Sequence, residues 1–170
     1  MCQLYKGAKH ILLINQDAYV DASTPKALVN LQKANPKSAV LSPLHLDATG
    51  HHLDRLFSHH VGKASGIGEL LSDALLRRET ADIYNLDFIN AAIWLLSREC
   101  VTRVGLLNPA FDHYGEDREY TDRVRYHGFS VSLAPACRAY HERAQNPRPE
   151  DLMAARYRYM VNVAHQYIVE

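Results

Sequence analysis

Four consecutive aliphatic side chains, Ile11-Leu12-Leu13-Ile14, run straight into Asn15-Gln16-Asp17. A run that short, with no polar alternate position, suits a strand covered on both faces, as in a parallel sheet flanked by helices. The polar residues that follow then have a natural place, because open α/β sheets bind ligands at the carboxyl ends of their strands. Ser23 or Thr24 offers an N-cap and Pro25 fits the first helical position. Ala27, Leu28, Leu31 and Ala34 form the apolar stripe of that helix, which Asn35-Pro36 ends. Ala39-Val40-Leu41 is a second short strand, closed by Pro43. The expectation is an α/β fold with a sheet between helices.

Nothing in the composition argues for a different class. The chain has 170 residues, 47% hydrophobic and 22% charged, which is globular rather than disordered. Nineteen basic side chains balance nineteen acidic ones, so no basic face marks a nucleic-acid partner. The longest apolar runs are too short for a transmembrane segment, and Met1 to His10 lack the apolar core of a signal peptide. The three cysteines, Cys2, Cys100 and Cys137, are far apart and odd in number. They suit a reducing, cytoplasmic setting without a disulfide framework, either free or at the inner membrane face.

The chain is expected to form one domain over 1–170. Residues 47–87 read as a variable insertion with helical content. Within it, Ile67 to Arg78 is predicted as a helix with Leu70, Leu71, Ala74 and Leu75 turned inward. Phe88 to Leu96 is a predicted strand, and Arg98 to Val104 a short helix stopped by Gly105. Phe111 to Gly115 form a loop, and Glu116-Asp117 begin a helix that Gly128 ends in the C′ position. Arg118 with Asp122 and Glu119 with Arg123 are spaced as i,i+4 pairs. Phe129–Leu133 and Cys137–Tyr140 are closing strands around Ala134-Pro135, and residues 147–170 carry a C-terminal amphipathic helix. His51-His52 and His59-His60 complete no tetrahedral zinc set, and Gly62 to Gly68 lacks the glycine spacing of a phosphate loop.

Four segments, in order, resemble the family 2 glycosyltransferases, especially the bacterial rhamnosyltransferase-like branch. They are Ile11 to Asp17, Asn90 to Glu99, Val104 to Phe111 running into Gly115-Glu116-Asp117 and Arg123, and Arg138 to Glu142. The resemblance implies a partial GT-A (nucleotide-diphospho-sugar transferase) fold, a mixed sheet flanked by helices. Enzymes of that family start with βαβ nucleotide-binding units, which are expected to be missing here, since Met1 to His10 look like the last helix before the strand at Ile11. An uncovered sheet edge, and self-association through it, are expected from that.

The resemblance also assigns roles. Asp17 and His141 would hold a divalent metal, Mn2+ or Mg2+, and Asn15 with Asp17 would meet the donor phosphates. Asp117 would be the general base, with Glu116 beside it, and Asn90 and Trp94 would line the acceptor side. The implied reaction moves a sugar from a nucleotide-sugar donor to a hydroxyl of a saccharide or lipid-linked acceptor, with inversion, in cell-surface polysaccharide synthesis. Plainer readings stand beside these roles. Asp17 suits a turn, Glu116-Asp117 suit the positive end of a helix dipole, His141 suits a structural histidine and Trp94 suits the core. The same residues also fit a non-catalytic module, or a half-enzyme completed by a partner chain.

Overall fold

A computed structural model describes residues 7–111, 115–143 and Met160. The predicted C-terminal helix over 147–170, apart from Met160, lies outside the described residues, as do Asp112, His113 and Tyr114. Strand β1 is His10–Ile14 and β2 is Ala18–Val20, followed by helix α1, Thr24–Ala34. Strand β3, Ser38–Asp47, leads to α2, Arg55–Val61, and α3, Ile67–Leu75. Then come β4 (Tyr84–Leu86), β5 (Ile93–Ser97), α4 (Arg98–Val104), α5 (Glu116–Tyr126) and β6 (Ser130–His141).

The strands make one six-stranded mixed sheet in the order β1-β5-β3-β6-β2, with β4 also on β6. β3 and β6 are parallel, while β5 is antiparallel to both β1 and β3. So β1, β3 and β6 point the same way, and their carboxyl ends share one rim of the sheet. Ile11 to Ile14 were expected to be buried in a parallel arrangement. Instead β1 pairs antiparallel with β5 alone among the described residues, and its side chains are half-buried or exposed. The aliphatic run does form a strand whose carboxyl end lies on that rim, but an unbroken apolar stretch does not reveal its neighbours.

Proline did not close β3. The strand continues past Pro43 because the β3–β6 register shifts between Pro43 and Leu44, where Ala134 and Arg138 are the successive partners. The missing N–H of Pro43 and the ring of Pro135 fall at this irregularity, where ladder hydrogen bonds are interrupted anyway. The two expected closing strands are thus one strand, β6. Within residues 47–87, β4 pairs with β6, and Ser132 Oγ donates to Asn85 Oδ1 at 2.8 Å. The predicted strand from Phe88 forms only from Ile93.

Leu28, Leu41, Ile89, Ile93, Trp94, Val124 and Leu133 are fully enclosed. Helix α1 seals one side through Leu28, but Ala34 is exposed and Gln32 is buried in its place. The Gln32 amide donates to Ser38 O, Ala39 O and Leu95 O, and its Oε1 meets His10 Nδ1 at 2.7 Å. A buried amide so completely partnered offsets its desolvation. Ser23 makes no side-chain cap; Thr24 donates to Arg138 O instead. Helix α3 buries no residue, and Leu71, Ala74 and Leu75 point outward, against expectation. Only Ile67 and Leu70 pack against the core margin. Helix amphipathicity alone did not tell which half of a broad apolar face meets the sheet.

That contrast sets an expected outcome in urea titrations. Leu41→Ala should cost about 2–5 kcal/mol, as for a fully enclosed leucine, while Leu75→Ala should stay within about 0.5 kcal/mol.

Candidate active site at the carboxyl rim

The chain leaves β1 at Ile14, turns through Asn15 to Asp17 and returns as β2. Asn15 N donates to Ala92 O at 2.9 Å, and Ala18 N to Asn15 O at 3.1 Å. Because β2 pairs with the end of β6, Ala18 stands opposite His141, and Glu142 N donates to Asp17 O at 2.8 Å. This backbone frame sets His141 Nε2 3.1 Å from Asp17 Oδ1. The imidazole is completely enclosed, whereas the carboxylate is 44% exposed. The two residues are 124 positions apart and meet at the rim.

Asp117 reaches the same rim from the other side. Gly115 has φ 98°, a left-handed conformation that favours glycine, and it turns the loop into the first turn of α5. Glu116, Asp117 and Glu119 occupy that turn, where the helix dipole favours negative charge. Asp117 Oδ1 accepts from Arg118 N at 2.8 Å, and Oδ2 accepts from Ala91 N at 3.4 Å. Ala91 precedes Ala92, whose carbonyl holds Asn15. A continuous set of contacts therefore joins the base candidate to the turn that carries Asp17.

Burial, and then the neighbouring Glu116 carboxylate, raise the Asp117 pKa from 3.8 to about 6, despite the backbone donors that favour its anion. The carboxyl therefore keeps its proton to about pH 6, well above an ordinary aspartate. Among the described residues, six buried side-chain atoms lack a hydrogen-bond partner. Asn90 Oδ1 and Glu116 Oε2 belong to residues beside Ala91 and Asp117, and His141 Nδ1 to the ring that meets Asp17, while Ser38 Oγ, His45 Nδ1 and Trp94 Nε1 lie in the core.

Trp94 is a correction. It has no exposed surface, stacks on Tyr120 with ring centroids 6.0 Å apart and belongs to the main core cluster. No face is open to a sugar. Arg123 holds α5 in place, as expected. It forms two hydrogen bonds to Glu119 and donates to Val104 O and to Leu106 O at 2.9 Å. The other expected pair is replaced: Arg118 meets Asp87 at 3.5 Å and lies over Phe88, and Asp122 meets Arg125 at 3.2 Å. A cavity of about 430 Å³ is lined by Leu106, Leu107, Asn108, Pro109, Glu119 and Arg123, on the side of α5 away from Asp117.

Sequence reasoning missed a buried layer behind Asp17 and His141. His45 is fully enclosed, contacts Ser42 Oγ through Nε2 at 3.0 Å, and is pushed by burial to a pKa of about 3, hence neutral. Asp54 accepts from Phe57 N to cap α2 and pairs with Arg143 Nε at 2.8 Å. The signal for His45 and Asp54 was absent, since polar residues flanking a short apolar run look like a strand end. Neither Cys100 nor Cys137 forms a disulfide.

A divalent cation was implied at Asp17 and His141, and the pair suits one in part. Two ligands each about 2.1 Å from an ion, at a right angle, stand about 3 Å apart, close to the observed separation. No group of three or more His, Cys, Asp or Glu side chains that could hold an ion occurs among the described residues. Any ion here would draw its other ligands from water and substrate phosphates, as is usual for Mg2+.

No protein-family profile matches the chain, and no curated protein sequence does. A solved structure does: GalNAc-T7, crystallised with UDP, GalNAc and Mn2+, aligns over 83% of this chain with a TM-score of 0.57. The fold is GT-A-like. Sequence identity is 15%, so the likeness is one of architecture, and the chain spans 29% of that structure's length. The expected mixed sheet flanked by helices is therefore present. Among the described residues, no helix is long and apolar enough to cross a membrane.

The raised Asp117 pKa has a thermodynamic consequence. Its folded value exceeds the unfolded one, so between about pH 4 and pH 6 the folded state binds the extra proton and stability falls as pH rises. Asp117→Asn removes that cost. The variant should be more stable than the parent at pH 8 by about 1–3 kcal/mol, with the gain gone at pH 4, in paired urea melts.

Proposed function

We propose that the chain carries the catalytic rim of a metal-dependent, inverting glycosyltransferase acting between a nucleotide-sugar and an acceptor hydroxyl. One juxtaposition supports the reading: a carboxylate with a pKa near neutrality shares a sheet rim with an Asp–His pair spaced for a cation. The GT-A-like architecture shared with GalNAc-T7 agrees with it.

In this reading Asp117 accepts the proton of the acceptor hydroxyl as that oxygen bonds to the anomeric carbon. The bond from that carbon to the phosphate oxygen breaks, and its electron pair leaves with the nucleoside diphosphate. Attack from the face opposite the leaving group inverts the centre, with no sugar bound to the protein. A base whose pKa sits just below working pH is ionised yet still takes a proton well. Glu116 and Asn90, each with an unpaired buried oxygen, orient acceptor hydroxyls. Asn15 and Asp17 lie where donor phosphates would be held. A divalent ion at Asp17 and His141, Mn2+ or Mg2+, would neutralise charge on the departing diphosphate. Imidazole among its ligands favours manganese. The family 2, rhamnosyltransferase-like assignment and a role in cell-surface polysaccharide assembly, in the cytoplasm or at the inner membrane face, belong to the same proposal.

A second reading has its own observation. β1 offers an aliphatic edge with no lysine, proline or bulge inside it, an arrangement that invites strand pairing. The rim then works only when strands from elsewhere extend the sheet along β1. By light scattering, the chain alone should self-associate through this edge at high concentration; a strictly monomeric species opposes that reading.

Nucleotide-sugar turnover with manganese tests the main proposal. Asp117→Asn should fold normally and lose about 10²–10⁴-fold in rate. The parent's rate should climb as pH passes about 6 and flatten above it, following ionisation of the base. Asp17→Ala should raise the manganese concentration needed for half-maximal rate. Full turnover by Asp117→Asn removes it from the base role.

A further inference from the structure

The turn that carries Asp17 continues into an aromatic stack that none of the roles above uses. Tyr19 and Tyr140 face each other across the β2–β6 pair, with ring centroids 4.9 Å apart and planes 13° from parallel. On the far side of Tyr140 lies the turn after β3. Gly50 there has φ 72°, and a Cβ on it would come within 3.0 Å of the Tyr140 ring. The layers are therefore the Gly50 backbone, the Tyr140 ring, the Tyr19 ring and then solvent. Tyr19 is 43% exposed.

Both hydroxyls are directed back to the protein, Tyr19 toward Ala48 O at 3.4 Å and Tyr140 toward Asp21 Oδ2 at 3.5 Å. What this corner offers to solvent is a flat ring face on a stacked support. Leaving it in water gains nothing for the fold, since an aromatic ring stabilises by being covered.

We propose that Tyr19 is a saccharide subsite, which holds a pyranose ring of a sugar chain beside the catalytic rim. The chemistry of the surroundings selects this class. Asp21, whose Oδ2 lies 3.5 Å from the Tyr140 hydroxyl, edges the corner, and a carboxylate accepts hydrogen bonds from sugar hydroxyls. A pyranose ring has an apolar face of C–H bonds edged by hydroxyls, which matches a ring face with a carboxylate at its border. Along a strand successive side chains alternate, so Tyr19 and Tyr140 lie on the opposite sheet face from Ala18 and His141. The subsite is thus around the edge from Asp17, placed to grip a sugar unit remote from the reacting one. For its use the proposal rests on the glycosyl-transfer reading, but its binding does not need transfer to occur.

The test is binding of methyl α-glucoside, methyl β-galactoside and methyl α-rhamnoside to the whole chain, followed by saturation-transfer NMR, with uridine as the aromatic control. At least one glycoside should bind. Tyr19→Ala should weaken it about tenfold, and Tyr19→Phe should retain it, since the ring carries the contact. Circular dichroism reports that the Tyr19 variants fold. Binding is read without nucleotide-sugar or manganese, so a loss of transfer and a loss of binding at Tyr19 are measured separately. Equal affinities in the parent and Tyr19→Ala overturn the proposal. So does binding of uridine alone, and so does binding of none of the three glycosides.

Discussion

Ser38 to Asp47 and Ser130 to His141 run side by side in the same direction, and that pairing sets the end of the sheet at which Asp17 and His141 meet. A parallel pair cannot be closed by a hairpin, so the chain between the two strands must cross over the sheet. That crossover delivers β5 to the far side of β3 and carries α5 back toward the rim. The ladder ends with Asp47 opposite His141. Because β2 pairs with the same end of β6, Asp17 arrives against His141 without any contact between neighbours in sequence. Gln32 and Thr24 of α1 tie the rest of this frame together by donating to carbonyls of β3, β5 and β6.

On the other side of the rim, stability and chemistry pull against each other at Asp117. A carboxylate in the first turn of a helix is favoured by the dipole, and two backbone amides point at it. Desolvation and Glu116 outweigh those terms, so its anion is disfavoured in the folded protein. The opposing work is done by Arg123. Its bonds to Glu119 and to the carbonyls of Val104 and Leu106 fix the helix from the flank away from Asp117. A helix held from one flank can present an uncomfortable carboxylate on the other.

How much of this was legible in the sequence differs from one feature to the next. The helix from Glu116 to Gly128 was readable to within a residue, because its start, its charges and its stop are local signals. The carboxyl end of β1 was readable as a rim position for the same reason. Its neighbours were not: whether Ile11 to Ile14 pair in parallel or antiparallel depends on β5, about 80 residues away. Pro43 misled because a proline ends a strand only where its N–H is needed, and the register shift at β6 removes that need. Trp94 was ambiguous by nature, since a ring that can stack on sugar stacks equally well on Tyr120. His45, Asp54 and the Tyr19–Tyr140 stack left no trace, because each gains meaning only from the β3–β6–β2 register.

Buried polar atoms without partners bear on function more directly than the likeness of fold does. An architecture shared at 15% identity places strands and helices, and many chemistries occupy one architecture. Unsatisfied atoms are different, because each one costs folding free energy wherever it occurs. Trp94 Nε1, Ser38 Oγ and His45 Nδ1 are such costs inside the packed layers. Asn90 Oδ1, Glu116 Oε2 and His141 Nδ1 instead flank one rim, on three elements that are distant in sequence. Two of the rim atoms, Asn90 Oδ1 and Glu116 Oε2, adjoin the buried Asp117 carboxylate or its donor Ala91, so the uncompensated cost there falls on the residues that the proposed reaction asks to meet an acceptor.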